Sequence, residues 1–137
     1  MEKIILGKEI TFRRSFTDKD IIDFSQTSQD ENPIHLDEAH AAKSIFGQRV
    51  VHGVLIISMI SKILGTIYPG EGAIYLSQTA KFIKPAFIGE EITAKATQIS
   101  YDNDSKKGVY LTECFKDGDT LILTGEAKVL FPKRFEL

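Results

Sequence analysis

The chain has 137 residues, which suits one domain around one core, since compact domains run to roughly 100–150 residues. With 42% hydrophobic and 26% charged residues it has the composition of a globular protein, which excludes a disordered tail. Seventeen Lys and Arg against nineteen Asp and Glu leave a net charge of −2 with no run of like charge, so no nucleic-acid or anionic-membrane partner is expected.

The lone cysteine, Cys114, excludes an intramolecular disulfide and a cysteine-based metal cluster, and fits a reducing compartment such as the cytoplasm. The N-terminus carries acids and only a short apolar group around Ile4-Ile5-Leu6, so no export signal is expected.

In chain order, Ile4 to Phe16 reads as an extended entry segment. Thr17-Asp18-Lys19-Asp20 places a hydroxyl cap and acids at a helix start, with Ile21, Ile22 and Phe24 on an inward face and an end near Ser28. Asp30-Glu31-Asn32-Pro33-Ile34-His35 is a stiff bend, because Pro33 biases Asn32 away from helical angles. Leu36 through Ser44 reads as a short alanine-rich helix ended by Phe46-Gly47.

His52-Gly53 leads into Val54 to Leu64, apolar on almost every side and read as an enclosed helix. Interrupted by Ser58, Ser61 and Lys62, it falls short of the roughly 18 residues of a membrane span. Ala73 to Ile83, Glu91 to Tyr101, Lys107 to Phe115 and Leu121 to Phe131 follow as a meander of four strands. A sheet curled around one apolar helix gives the expected fold class: α+β, a single hot-dog domain over residues 1–137, with an antiparallel sheet wrapped around a central helix.

Asp30 and His35 form a carboxylate–imidazole pair suited to proton transfer near neutral pH. Spacing alone favours the structural reading, in which Asp30 caps the bend and His35 makes a local hydrogen bond. At His52-Gly53, free amides of a helix N-terminus can hold a developing oxyanion, or Gly53 can simply permit a close turn.

Phe24-Ser25-Gln26-Thr27-Ser28-Gln29-Asp30-Glu31-Asn32-Pro33-Ile34-His35 resembles the hydratase-2 motif of the MaoC-like, (R)-specific enoyl-CoA hydratases. Phe46 to Gly53 resembles the loop into that family's central helix, Tyr75 to Gln78 its first sheet segment, and Phe82 to Glu91 its next strand and turn. Gln29 departs from the glycine that many members carry.

The resemblance implies a hydro-lyase that adds water across the double bond of a 2-enoyl thioester, with an (R)-3-hydroxy product. It implies Asp30 and His35 as the catalytic pair, the Gly53 amide on the thioester oxygen and Ser61 in an orienting role, with Asn32 and His52 grouped among the substrate-binding residues. The acyl chain is expected along Val54, Leu55, Ile56 and Ile60. The substrate partner is an acyl-CoA thioester, coenzyme A being part of the substrate and no further cofactor expected. The open sheet edge together with the analogy implies a homodimer.

The three histidines lie far apart in sequence, so no metal site is expected. His40 reads as a solvated residue and Cys114 as a buried apolar group. Lys43, Arg49, Lys62, Lys81 and Lys84 read as dispersed solubilising charge. A hot-dog thioesterase and a non-catalytic acyl-CoA binding module are the rival functions; the Asp-to-His motif argues against both.

Overall fold

A computed structural model describes all residues, 1–137. Its main sheet is antiparallel with strand order β2-β5-β6-β7-β3, where β2 is Glu9–Ser15, β3 Ile74–Gln78, β5 Glu91–Asp102, β6 Lys107–Lys116 and β7 Thr120–Leu130; β4, Lys81–Phe82, also pairs with β7. β1, Glu2–Lys3, and β8, Phe135–Glu136, form a separate parallel pair.

Residues alternate across the sheet as a half-buried strand requires. Ile92, Ala94 and Ala96 on β5 and Tyr110, Thr112 and Cys114 on β6 point inward. Register shifts at Tyr75/Ser77, Gln98/Ser100 and Cys114/Phe115 bend the strands, and the small inward residues Ala94 and Ala96 leave room for a helix in the concavity. That helix is α4, Gly53–Lys62, which buries Ile56, Met59 and Ile60 and runs into a π-helical turn, Ile63–Ile67, that adds Ile63 and Leu64. Each such side chain contributes about 1.5–3 kcal/mol on full burial. They belong to one core of 23 buried residues that also takes in the inward face of the sheet.

The first helix and the sheet wrapped around a helix stand as expected, and of the entry segment Ile4 to Phe16 the part Glu9–Ser15 is a strand, preceded by a turn at Leu6-Gly7. α1 covers Asp18–Ser28, and a reciprocal capping box between Thr17 and Asp20 starts it. Its C-cap is Gln29 at φ 64°, a left-handed backbone, which gives the physical reason that glycine suits this position.

Three expectations are corrected. The helix read over Leu36 to Ser44 shrinks to α3 at Glu38–Ala42, and the end of the stretch read as a bend is itself a short helix, α2 at Pro33–Leu36, because Asp37 between them takes an extended backbone and caps His40 N–H. The strands do not meander in sequence order: the first of them returns to pair with the last, β3 beside β7, and breaks before β4. At that break Thr79 crosses so close to Gly125 that a Cβ there would sit 1.9 Å from the Thr79 carbonyl oxygen.

The central helix is not enclosed on all sides. Val54, Ser58 and Ser61 form an exposed stripe, with Val54 63% accessible. No helix is long and apolar enough to cross a membrane.

Candidate active site

The bend after α1 holds Asp30 by local hydrogen bonds. Its amide donates to Ser28 Oγ at 3.0 Å, and its Oδ1 accepts from Asn32 N–H at 3.3 Å. Asn32 then caps α2 through Oδ1, accepting from Ile34 N–H at 3.2 Å, and Pro33 fills the first helical position, where no N–H is needed. This short helix carries His35. The carboxamide oxygen of Asn32, grouped in advance with the substrate contacts, is therefore engaged in shaping the loop.

His35 Nδ1 lies 2.7 Å from the Val50 carbonyl oxygen. A carbonyl can only accept, so Nδ1 carries the proton and, in the neutral ring, Nε2 presents a lone pair.

His52 stacks behind that ring, with centroids 3.8 Å apart and planes at 23°, while Phe24 packs on it edge-on at 4.8 Å. His52 Nε2 lies 3.4 Å from the Asp30 carbonyl oxygen and 3.1 Å from Ser25 Oγ. The carbonyl contact requires a proton on Nε2, which leaves Nδ1 buried without a partner. Burial, and then the neighbouring His35, push the His52 pKa below that of a free imidazole, so the ring is held neutral.

Only 2% of the His52 surface is accessible. Expected among the substrate-binding residues, His52 lies buried behind His35 and Asp30.

A carboxylate oxygen of Asp30 and ring nitrogens of His35 and His52 all lie within 4.8 Å of one another. Two histidines that the sequence separates by 17 positions are thus neighbours, contrary to the expectation of scattered ligands. Nitrogen lone pairs lie in the ring planes, so two nearly parallel stacked rings do not aim at one ion between them, and one nitrogen of each is already bonded.

The Asp30 carboxylate oxygen and the His35 ring nitrogen lie no more than 4.8 Å apart, a separation that one water can bridge. Two hydrogen bonds of about 2.8 Å meeting at a tetrahedral oxygen span about 4.6 Å.

His35 lines an apolar cleft of about 430 Å³ together with Phe46, Gly53, Val54, Ile56 and Phe82. Of the expected acyl walls, Val54 and Ile56 are present. Ile60 lies wholly inside the core instead, and Leu55 faces a shallow depression beside Phe16 and Arg14.

Gly53 opens α4. α1, α2 and α3 are each capped by a side chain, whereas α4 has none, so its first-turn amides are left for other acceptors at the cleft. Phe82 lies directly over Gly53: a Cβ there would meet the ring at 2.5 Å.

Ser61 is not brought to this cleft. It is exposed on α4, eight residues beyond Gly53 and thus about 12 Å along the axis. His40 is exposed, as read. Cys114 is buried, and burial raises its thiol pKa to about 12, far from a nucleophile's range.

Sequence reasoning missed Ser25, Val50 and Phe82, which act through a side-chain hydroxyl, a main-chain carbonyl and shape in turn and carry no motif of their own. Arg49 was read as solvent charge; its side chain is only 11% exposed.

Proton transfer beside an apolar cleft, on a hot-dog scaffold, is the chemistry these groups can perform together. The chain belongs to the MaoC like domain family, which its residues 4–113 match. It is 36% identical over 131 residues to an (R)-specific enoyl-CoA hydratase of Aeromonas caviae, covering 96% of this chain and 98% of that one. It is 35% identical to a 3-hydroxybutyryl-CoA dehydratase of Methylorubrum extorquens, covering 98% and 85%. The solved structure of the (R)-hydratase from A. caviae involved in PHA biosynthesis superposes with a TM-score of 0.91 at 36% identity, over 94% of this chain and 98% of that one.

Proposed function

We propose that the chain is a 2-enoyl-CoA hydratase that forms the (R)-3-hydroxyacyl thioester and catalyses the reverse dehydration. The observation that carries this reading is that an Asp30 carboxylate oxygen lies within 4.8 Å of a ring nitrogen of His35, which lines an apolar cleft beside an uncapped helix N-terminus.

In this reading Asp30 and His35 Nε2 hold the water between them. Its oxygen bonds C3 while the pair takes one proton, and the pair returns a proton to C2, so H and OH add across the double bond and the enzyme is restored. The Gly53 N–H donates to the thioester oxygen as negative charge develops on it; a donor of this kind supplies about 2.7–4 kcal/mol of transition-state stabilisation. Asn32 frames the water site from the loop. The thioester itself acidifies C2, so orientation, a proton relay and a polar hole suffice without a metal or redox group.

The substrate's carrier in this reading is coenzyme A, and the compartment is the cytoplasm, consistent with a single, buried, free cysteine. The active species is a homodimer: β3 is an edge strand whose Ile74 and Leu76 are exposed, next to exposed Val54, Phe82 and Ile83. Ser61, outside its own cleft, falls on the uncovered stripe of α4, so its orienting role would be exercised across that pairing.

The test is loss of enoyl absorbance with crotonyl-CoA and longer 2-enoyl-CoAs, with chirality analysis of the product. Asp30→Asn and His35→Ala are expected to lower kcat by roughly 10²–10⁴-fold with little change in melting temperature, because Asp30 is exposed and His35 only half-buried. Release of free thiol without hydration would make the protein a thioesterase, and thioester binding without either would make it a binding module.

A further inference from the structure

The five cations read as dispersed charge divide in two. Lys43, Lys62, Lys81 and Lys84 are exposed, whereas the Arg49 guanidinium is drawn under the loop that bears His35. Its Nε donates to the His35 carbonyl oxygen at 2.7 Å. One terminal nitrogen meets Asp18 Oδ1 at 2.7 Å, and the other lies 4.0 Å from Glu38 Oε1. Asp18 and Glu38 are the first residues of α1 and α3. A single planar cation thus joins two helix starts to the main chain of His35.

This matters because α2 has only four residues. A helix leaves its last four carbonyls without internal partners, and here that is every carbonyl it has. Pro33 O accepts from Asp37 N–H and Ile34 O from Val50 N–H, which leaves His35 O for the guanidinium. Consecutive residues therefore hold His35 at both ends: Arg49 bonds its carbonyl, and the Val50 carbonyl bonds its Nδ1–H. Val50 and Val51 are in turn pinned to Phe87 and Ala86.

We propose that Arg49 is a positioning residue for His35: its guanidinium fixes the His35 peptide against the 49–51 segment, and so fixes the Nδ1–H tautomer and the aim of Nε2 at the reacting water. This rests on the hydratase reading of Asp30 and His35 for its effect on catalysis, though not for its effect on the ring. Lysine is no substitute, because it keeps the charge but lacks the rigid fork that serves a carbonyl and a carboxylate from one plane.

The experiment compares wild type, Arg49→Lys and Asp18→Asn by crotonyl-CoA kinetics, melting temperature and ¹⁵N–¹H imidazole spectra at mildly alkaline pH, where imidazoles are neutral. Arg49→Lys is expected to lower kcat roughly 10- to 100-fold at nearly unchanged KM, as a small displacement of a catalytic group does. The His35 spectrum should move from one tautomer to a mixture. Asp18→Asn loosens one anchor at a carboxylate that is 60% exposed, so it should fold normally and shift both readouts the same way by a smaller step.

An unchanged His35 spectrum and kcat in folded Arg49→Lys, even with a lower melting temperature, would reduce Arg49 to a stabilising ion pair and overturn the proposal. Should Arg49→Lys fail to fold, no change in Asp18→Asn would overturn it equally. A wild type that hydrates no enoyl-CoA, with the His35 spectrum still disturbed in the variants, would refute the hydratase reading and leave the positioning role standing.

Discussion

Two regions of this molecule bury polar aromatic groups and treat them in opposite ways. At the loop end, His35 is bonded through its ring and its main chain, and His52 is pinned by Asp30 and Ser25. In the other region, Tyr68, Tyr101 and Tyr110 gather around Phe131 with ring centroids 5.1–6.3 Å away. There Tyr68 and Tyr101 hydroxyls are buried without partners, and the Tyr110 hydroxyl has one long contact, 3.4 Å to Gln98 Oε1. The rings there are held by shape, with Tyr68 and Tyr101 edge-on and Tyr110 parallel to Phe131, which fixes a core but aims no proton. The loop end uses directed hydrogen bonds, which fix tautomer and orientation. One region supplies stability and the other chemistry.

The largest stability effect expected on either side of that division is Phe131→Ala, which empties the centre of the aromatic cluster and should cost about 3–5 kcal/mol in denaturant unfolding. If the division holds, the fraction that remains folded keeps its kcat. A loss of turnover per folded molecule would show that the two regions are coupled.

Gly53→Ala comes next and sits at the loop end. The added methyl would meet the Phe82 ring, so overpacking of about 1–3 kcal/mol is expected, together with a fall in kcat from displacement of the helix N-terminus. Adding Phe82→Ala should restore the melting temperature. Restored turnover as well would show that Phe82 only fills space above the amide.

The smallest effect is the pH dependence set by His52. Its folded pKa is lowered by burial, so between that value and about 6.5 the unfolded chain binds more protons than the folded one. Its contribution to stability is thus fully present above about pH 6.5 and is lost as pH falls through the folded pKa. Melting curves taken downward from neutral pH should show wild type losing more stability than His52→Gln. Parallel curves would mean that the ring does not sense its burial.

Much of the fold was legible locally. The capping box at Thr17 and Asp20, the alternation along Glu91 to Tyr101 and the apolar run from Val54 each act over a few residues, where periodicity and cap chemistry decide. The split of Leu36 to Ser44 was missed because Asp37 offers its side chain as a cap for the second piece, and an alanine-rich composition hides that competition. The pairing of β3 with β7 was missed because strand order is set by closure around the helix, not by distance along the chain.

The sequence by itself determined an α+β fold with one apolar helix, and a carboxylate and an imidazole on one proline-stiffened bend, because those features depend on near neighbours. Tertiary structure alone decided which nitrogen of His35 bears the proton, that His52 is buried behind that ring, that Ser61 lies outside its own cleft, and that Arg49 is mostly buried and bonded to the His35 carbonyl. Each of these turns on a partner 14 or more residues away or on the face a side chain turns to solvent, and both are fixed only when the sheet closes on the helix.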